Sequence, residues 1–166
     1  MEEATCNDQS SITVKSAPVG TNLNILNPPN DTLIALCDTI TLEAEIISTD
    51  LGYLREVSMQ VAIPAGLDLV PGSFAFAYPS VTLPGFTGYV PIATPPLIGG
   101  VRTFKLYELD STLLNVGLIG SKDLFHDFSV DSNAVSLRFK VVTNCNSVSK
   151  GRVTFTELAK NACGNS

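Results

Sequence analysis

The residues able to do chemistry are few. The chain has one histidine, His126, in the run Leu124-Phe125-His126-Asp127. Nucleophilic catalysis needs a base, most often histidine, within hydrogen-bond reach of a serine or cysteine. One histidine suffices for a triad, but no Gly-x-Ser-x-Gly elbow accompanies this one and no cysteine lies near it in sequence. The expectation is a turn or solvated histidine. Glu43 and Glu45 alternate on one segment, which would put their Cα atoms ~7 Å apart on one strand face. Glycosidases use a carboxylate pair, but spacing alone is thin support, and the expectation is a charged outer face that keeps the strand soluble. Asp127, Asp131 and Asn133 cluster, and Asp31 follows Pro28, Pro29 and Asn30. Calcium wants roughly six to eight oxygens, and neither stretch follows an EF-hand loop, so turns rich in Asp and Asn are expected and no metal. Gly85, Gly88, Gly99 and Gly100 lack the following lysine or helix start of a phosphate cradle. The sequence thus predicts no cofactor and no enzymatic activity.

Four cysteines remain: Cys6, Cys37, Cys145 and Cys163. They are far apart, with none of the close pairs that zinc sites use and no basic neighbours to activate a thiol. An even, scattered set fits two disulfides in an oxidising compartment, with free buried thiols as the alternative. Strand parity ranks the pairings if the chain enters at one pole of the domain and leaves at the other. The second strand would then start, and the last strand end, at the same pole. That arrangement favours Cys37–Cys163 with Cys6–Cys145.

The elements that would position these residues are strands. Val, Ile and Thr supply 40 of the 166 residues, punctuated by 12 Gly and 10 Pro, a mixture that favours pleated surfaces and turns. Apolar residues recur two apart at Ile40, Leu42, Ala44 and Ile46, at Val57, Met59, Val61 and Ile63, and at Val135, Leu137, Phe139 and Val141. Shorter versions occur at Ile12–Val14, Phe104–Leu106 and Val153–Phe155. Half-buried strands of this kind make sheets with one dry face, and two such faces pack into a sandwich. The polar turn from Asn144 to Gly151 predicts a hairpin between its flanking strands, and Asp50-Leu51-Gly52 predicts another. Asn22 to Asp31 reads as a turn-rich connection. The domain expected is a single one over residues 1–166, an antiparallel β-sandwich of about seven to nine strands.

Residues 79–100 carry five of the prolines and four of the glycines, together with Phe86 and Tyr89. Loops this long are uncommon in compact domains and are often functional. The simplest expectation is an extended crossover that folds over the sandwich edge and buries its own apolar residues. The other is a binding surface for polysaccharide, with Tyr78, Phe86 and Tyr89 as the ligand-binding aromatics, because aromatic faces offer rigid apolar area. The absence of tryptophan weakens that reading.

Charge excludes further classes. A formal net charge of −6 argues against nucleic acid as a partner, since phosphate neutralisation needs a basic patch. No apolar run approaches the ~20 residues of a membrane span. Met1 is followed by Glu2 and Glu3 rather than by a basic and then an apolar region, so no signal peptide is expected at this start and the chain is expected to be a fragment of a longer multi-domain protein.

Ile63-Pro64-Ala65-Gly66-Leu67, followed by Pro71-Gly72-Ser73, resembles the conserved-repeat β-sandwich domains of large bacterial surface proteins. There a strand, a Pro-x-Gly-Leu turn, a short strand and Gly-Ser recur. Cys37-Asp38-Thr39, Thr143-Asn144-Cys145 and Ala162-Cys163-Gly164 are similar to variants in Bacteroidetes-type secreted adhesins. The resemblance covers most of residues 37–73 and 134–164 and leaves 74–133 as an elaboration. It implies an immunoglobulin-like fold and a stalk, spacer or adhesive link at the cell surface or outside the cell. The implied partners are neighbouring domains of the same chain, with surface polysaccharide or host and environmental glycans as further candidates. It brings no catalytic residues with it.

Overall fold

The computed structural model describes residues 20–29, 37–49, 51–109, 123–126, 133–144 and 152–161. Among them the chain is an all-β sandwich of two antiparallel sheets. The first sheet runs β1 (Thr21–Asn27), β2 (Thr39–Ser48), β10 (Ala134–Thr143), β5 (Ala75–Ala77) and β6 (Val90–Pro91), with β4 (Leu67–Leu69) also paired to β10. The second runs β11 (Thr154–Asn161), β3 (Gly52–Ala62), β8 (Val101–Lys105) and β7 (Leu97–Ile98), with β9 (Leu124–His126) also paired to β3. A 3-10 turn, Leu106–Glu108, follows β8.

The alternation in the sequence sets the inner faces. Leu42, Ala44 and Ile46 of β2 and Val135, Leu137, Phe139 and Val141 of β10 are buried against Val57, Met59 and Val61 of β3. Three aromatic contacts tie this core together. Phe74 stacks on Phe139 at 4.7 Å, while Phe76–Phe104 and Phe139–Phe155, each at 6.0 Å, reach from one sheet to the other. Aromatic pairs at such distances add to the area they bury.

Strand pairing departs from expectation. β2 pairs with β1 and β10, not with β3, and β11 pairs with β3, not with β10. Neither predicted hairpin forms. Consecutive strands with dry faces here belong to opposite sheets, so neither pair closes a ladder. Thr21–Asn27 is a strand rather than a turn-rich connection, in register with β2 from Thr21↔Ser48 to Asn27↔Glu43. Its asparagines have found work in the sheet: Asn27 Nδ2 donates to Thr41 O at 2.8 Å and Asn24 Nδ2 to Glu45 Oε2 at 3.2 Å.

The registers define two poles. β1 starts beside the end of β2, and β11 ends beside Leu54, near the start of β3. These lie at one pole. β2 starts, and β10 ends, at the other, where Val142 faces Thr39. The parity premise from sequence therefore fails: Cys37, at the start of β2, and the end of β11 lie at opposite poles. Cys6, Cys145 and Cys163 lie outside the described residues.

Candidate functional site

The outer face of the first sheet is where the polar residues of the sequence converge. β2 and β10 are adjacent and antiparallel, so Glu45 faces Ser136 and Glu43 faces Arg138. Next to them β5 alternates: Phe74, Phe76 and Tyr78 enter the core, while Ala75 and Ala77 face out, yet both are buried. The small outward side chains leave room for a cover. Residues 78–89 leave β5, cross above β10 to β2, and return as β6, antiparallel to β5.

Polar contacts hold this strap down. Ser80 N donates to Ala134 O at 2.9 Å and Val81 N to Ser136 Oγ at 3.3 Å. The hydroxyls of Ser80 and Thr82 both donate to Glu45 Oε1, and the Tyr89 hydroxyl donates to Glu43 Oε1. The Arg138 guanidinium lies over the Tyr89 ring, 3.9 Å from its centroid, within the range of a cation–π contact. Glu45 is only 3% exposed. The expectation of a solvated outer glutamate pair is thus corrected: Glu45 is covered, and its charge is met by two hydroxyls and an amide. Burial, and then the hydrogen bond to Glu43, push the Tyr89 hydroxyl above its usual titration range.

Chemically, both carboxylates are engaged by donors of the protein itself. A sugar hydrolase would need such a pair open to a glycosidic bond. His126 closes β9, paired with Gly52, and Asp127 and Asp131 lie outside the described residues. Asn133 spends its amide on Ser48 O at 3.3 Å. Among the described residues no three His, Cys, Asp or Glu side chains are grouped to hold a metal.

The three aromatics proposed from sequence do not form one platform. Tyr78 points into the core, 7% exposed, and its hydroxyl donates to Asp123 O at 2.6 Å. Burial is the main cause that pushes it up to about 12, with the nearby Asp123 charge second. Tyr78 follows Phe74 and Phe76 in the inward parity of β5, which is the physical reason it is lost to a surface. Phe86 and Tyr89 do meet, edge to face at 5.7 Å, on the strap. One face of Tyr89 is already occupied by Arg138.

A second feature lies further along the proline-rich segment, between it and β8. A groove of about 400 Å³ is lined by Pro91, Ile92, Pro95, Pro96, Phe104 and Leu109, among others. At its rim Lys105 Nζ lies 2.5 Å from Glu108 Oε1. Beside it the β7–β8 hairpin turns through Gly99 and Gly100, whose φ values of 59° and 82° suit the left-handed positions of a two-residue hairpin. The hairpin carries Leu97, 61% exposed, and Ile98, 70% exposed. Sequence reasoning read residues 79–100 as one connection and missed this division. The signal was present, in two apolar residues followed by Gly-Gly before the alternating run at Phe104.

The chain matches no protein-family model and no curated protein. Among the described residues no helix is long and apolar enough to cross a membrane.

Proposed function

We propose that the chain is a non-enzymatic structural or adhesive module, a stalk or spacer link of a bacterial cell-surface or secreted protein, resembling the repeat sandwiches of Bacteroidetes-type adhesins. One observation carries this reading. The glutamate pair Glu43 and Glu45 is used to hold the strap, while the most exposed large apolar side chains among the described residues, Leu97 and Ile98, stand on a tight hairpin beside an apolar groove. Exposed apolar area of this kind marks contact surfaces. The partner that fits the module's place in a longer chain is a neighbouring domain of that chain, meeting it at the hairpin and groove. The polysaccharide reading keeps only Phe86 and Tyr89, on the strap.

The test uses the parent chain on the cells that make it. An antibody to this domain labels intact cells, and replacing Leu97 and Ile98 by serine lowers attachment at unchanged surface amount. Labelling only after lysis would overturn the surface reading. Saturable binding on a glycan array, lost in a Phe86→Ala/Tyr89→Ala variant, would replace the spacer with a sugar-binding module.

A further inference from the structure

Among the described residues β1 is an edge of the first sheet, and its register fixes where its backbone groups point. Thr49 N donates to Gly20 O at 3.0 Å, and Thr21 faces Ser48 in the same register. Ser48 N is turned the other way and donates to Asn133 O at 2.7 Å. Backbone groups alternate sides along an antiparallel strand. Gly20, Asn22 and Asn24 therefore aim theirs at β2, while Thr21, Leu23 and Ile25 aim theirs away from the sheet. Among the described residues no strand lies there to receive them.

Two edges meet on this flank, where Thr21 Oγ1 of β1 donates to Glu157 Oε1 of β11 at 2.7 Å. Strand edges are ordinarily kept from pairing by charges, prolines or bulges. β11 carries Glu157 and Lys160, with a register shift between Leu158 and Lys160. β1 reads Thr-Asn-Leu-Asn-Ile-Leu-Asn, with neither charge nor proline. Its own register shift falls after Ile25, so residues 21–25 form a regular run. Ile25 shares the parity of Leu23, which packs on the core, yet Ile25 is 41% exposed.

We propose that residues 21–25 pair, antiparallel, with the same residues of a second copy of this chain about a two-fold axis at Leu23. Leu23 then faces its own counterpart, Thr21 faces Ile25, and Asn22 faces Asn24. The hydrogen-bonded pairs of that register are those whose groups point outward, so each outward N–H and C=O of the run meets a partner. The open side of Ile25 is covered, and no like charges are brought face to face. The first sheets of the two copies become one. So short a ladder falls below the ~800 Å² per partner of a standard interface, so the pair is weak and forms where copies are held close together. The inference stands apart from the partner assigned to the hairpin and groove.

The test compares the full chain at dilute and at millimolar concentration. Sedimentation equilibrium should show a reversible monomer–dimer equilibrium. Amide exchange followed by NMR reads the register. The N–H groups of Thr21, Leu23 and Ile25 should exchange several-fold more slowly in the concentrated sample, while those of Asn22 and Asn24, already aimed at β2, should not change. Ile25→Lys puts a charge on the edge and should abolish both effects. Leu158→Lys, a like change at a 47% exposed position of β11, should leave both intact. A single monomeric species at every concentration would overturn the proposal. So would slow exchange of Thr21, Leu23 and Ile25 in the dilute sample, which would mean that the chain covers its own edge. Association kept in Ile25→Lys but lost in Leu158→Lys, or in Leu97→Ser/Ile98→Ser, would place the contact on another surface and overturn it as well.

Discussion

The two outer faces of the sandwich begin from the same sequence rhythm and end differently. On β2, Glu43 and Glu45 alternate with core residues, and so does Gln60 on β3, with Glu56 displaced outward at a bulge where its φ is 51°. On the outer face of the second sheet the charge of Glu56 stays in water. Glu56 is exposed and meets Lys160 at 2.8 Å in an ion pair whose partners are both about half exposed. On the first sheet the strap descends, and Glu45 becomes the buried acceptor of Ser80, Thr82 and Asn24. A charged residue on a strand's outer face is decorative in one place and a fastening in the other. What decides is a segment about 35 residues away in sequence that is cut to fit over alanines and a serine.

The largest test of this contrast is overpacking. Ser136→Leu, at a position with no exposure beneath Tyr89 and Val81, should cost about 2–3 kcal/mol, while Gln60→Leu on the open face should stay within ~0.5 kcal/mol, both read by urea unfolding. Equal effects would mean that the strap does not bear on the sheet. Glu45→Ala comes next, at about 2–3 kcal/mol, because it strands two hydroxyls and an amide. Its counterpart Glu56→Ala removes an exposed ion pair worth ~0–1 kcal/mol. Limited proteolysis should then nick Glu45→Ala within residues 80–89 and spare Glu56→Ala. Tyr89→Phe deletes only a hydroxyl and should cost ~1 kcal/mol.

The smallest effect is a slope in pH. Tyr78 titrates at about 12 in the folded protein, above its ordinary value near 10, and Tyr89 is likewise raised. Below pH 10 both states hold these protons and neither residue contributes. Above it the unfolded chain gives up protons that the native state keeps, so stability falls as pH rises toward 12. Tyr78→Phe should flatten part of that fall in denaturation curves taken at stepped pH.

Much of the fold was legible in the sequence, and the limits have physical causes. The inner faces of β2, β3 and β10 follow from period-two alternation, and the structure buries Leu42, Ala44, Ile46, Val57, Met59, Val61, Val135, Leu137, Phe139 and Val141 as that alternation requires. Partnership did not follow, because alternation says which face is dry but not which strand lies alongside. β1 was hidden by its asparagines, whose turn preference yields here to a continuous ladder with β2. The covered face was hidden for a deeper reason. Solvated and hydrogen-bonded carboxylates look alike in a sequence, and only the run Phe-Ala-Phe-Ala-Tyr in β5, with small residues in every outward place, hinted that something would lie on top. Tyr78 belongs to that run, and its inward parity could have removed it from the aromatic platform before the structure did.

The proline-rich segment also settles how the sandwich ends on one flank. Among the described residues the outermost strands there, β6 and β7, are two residues each, with Pro91 inside one and Pro95 and Pro96 just before the other. Proline has no N–H to offer an incoming strand, and two residues make no template for one. At high concentration, neighbouring copies that meet along this flank find no ladder to extend, so crowding there should not lead to β-aggregation.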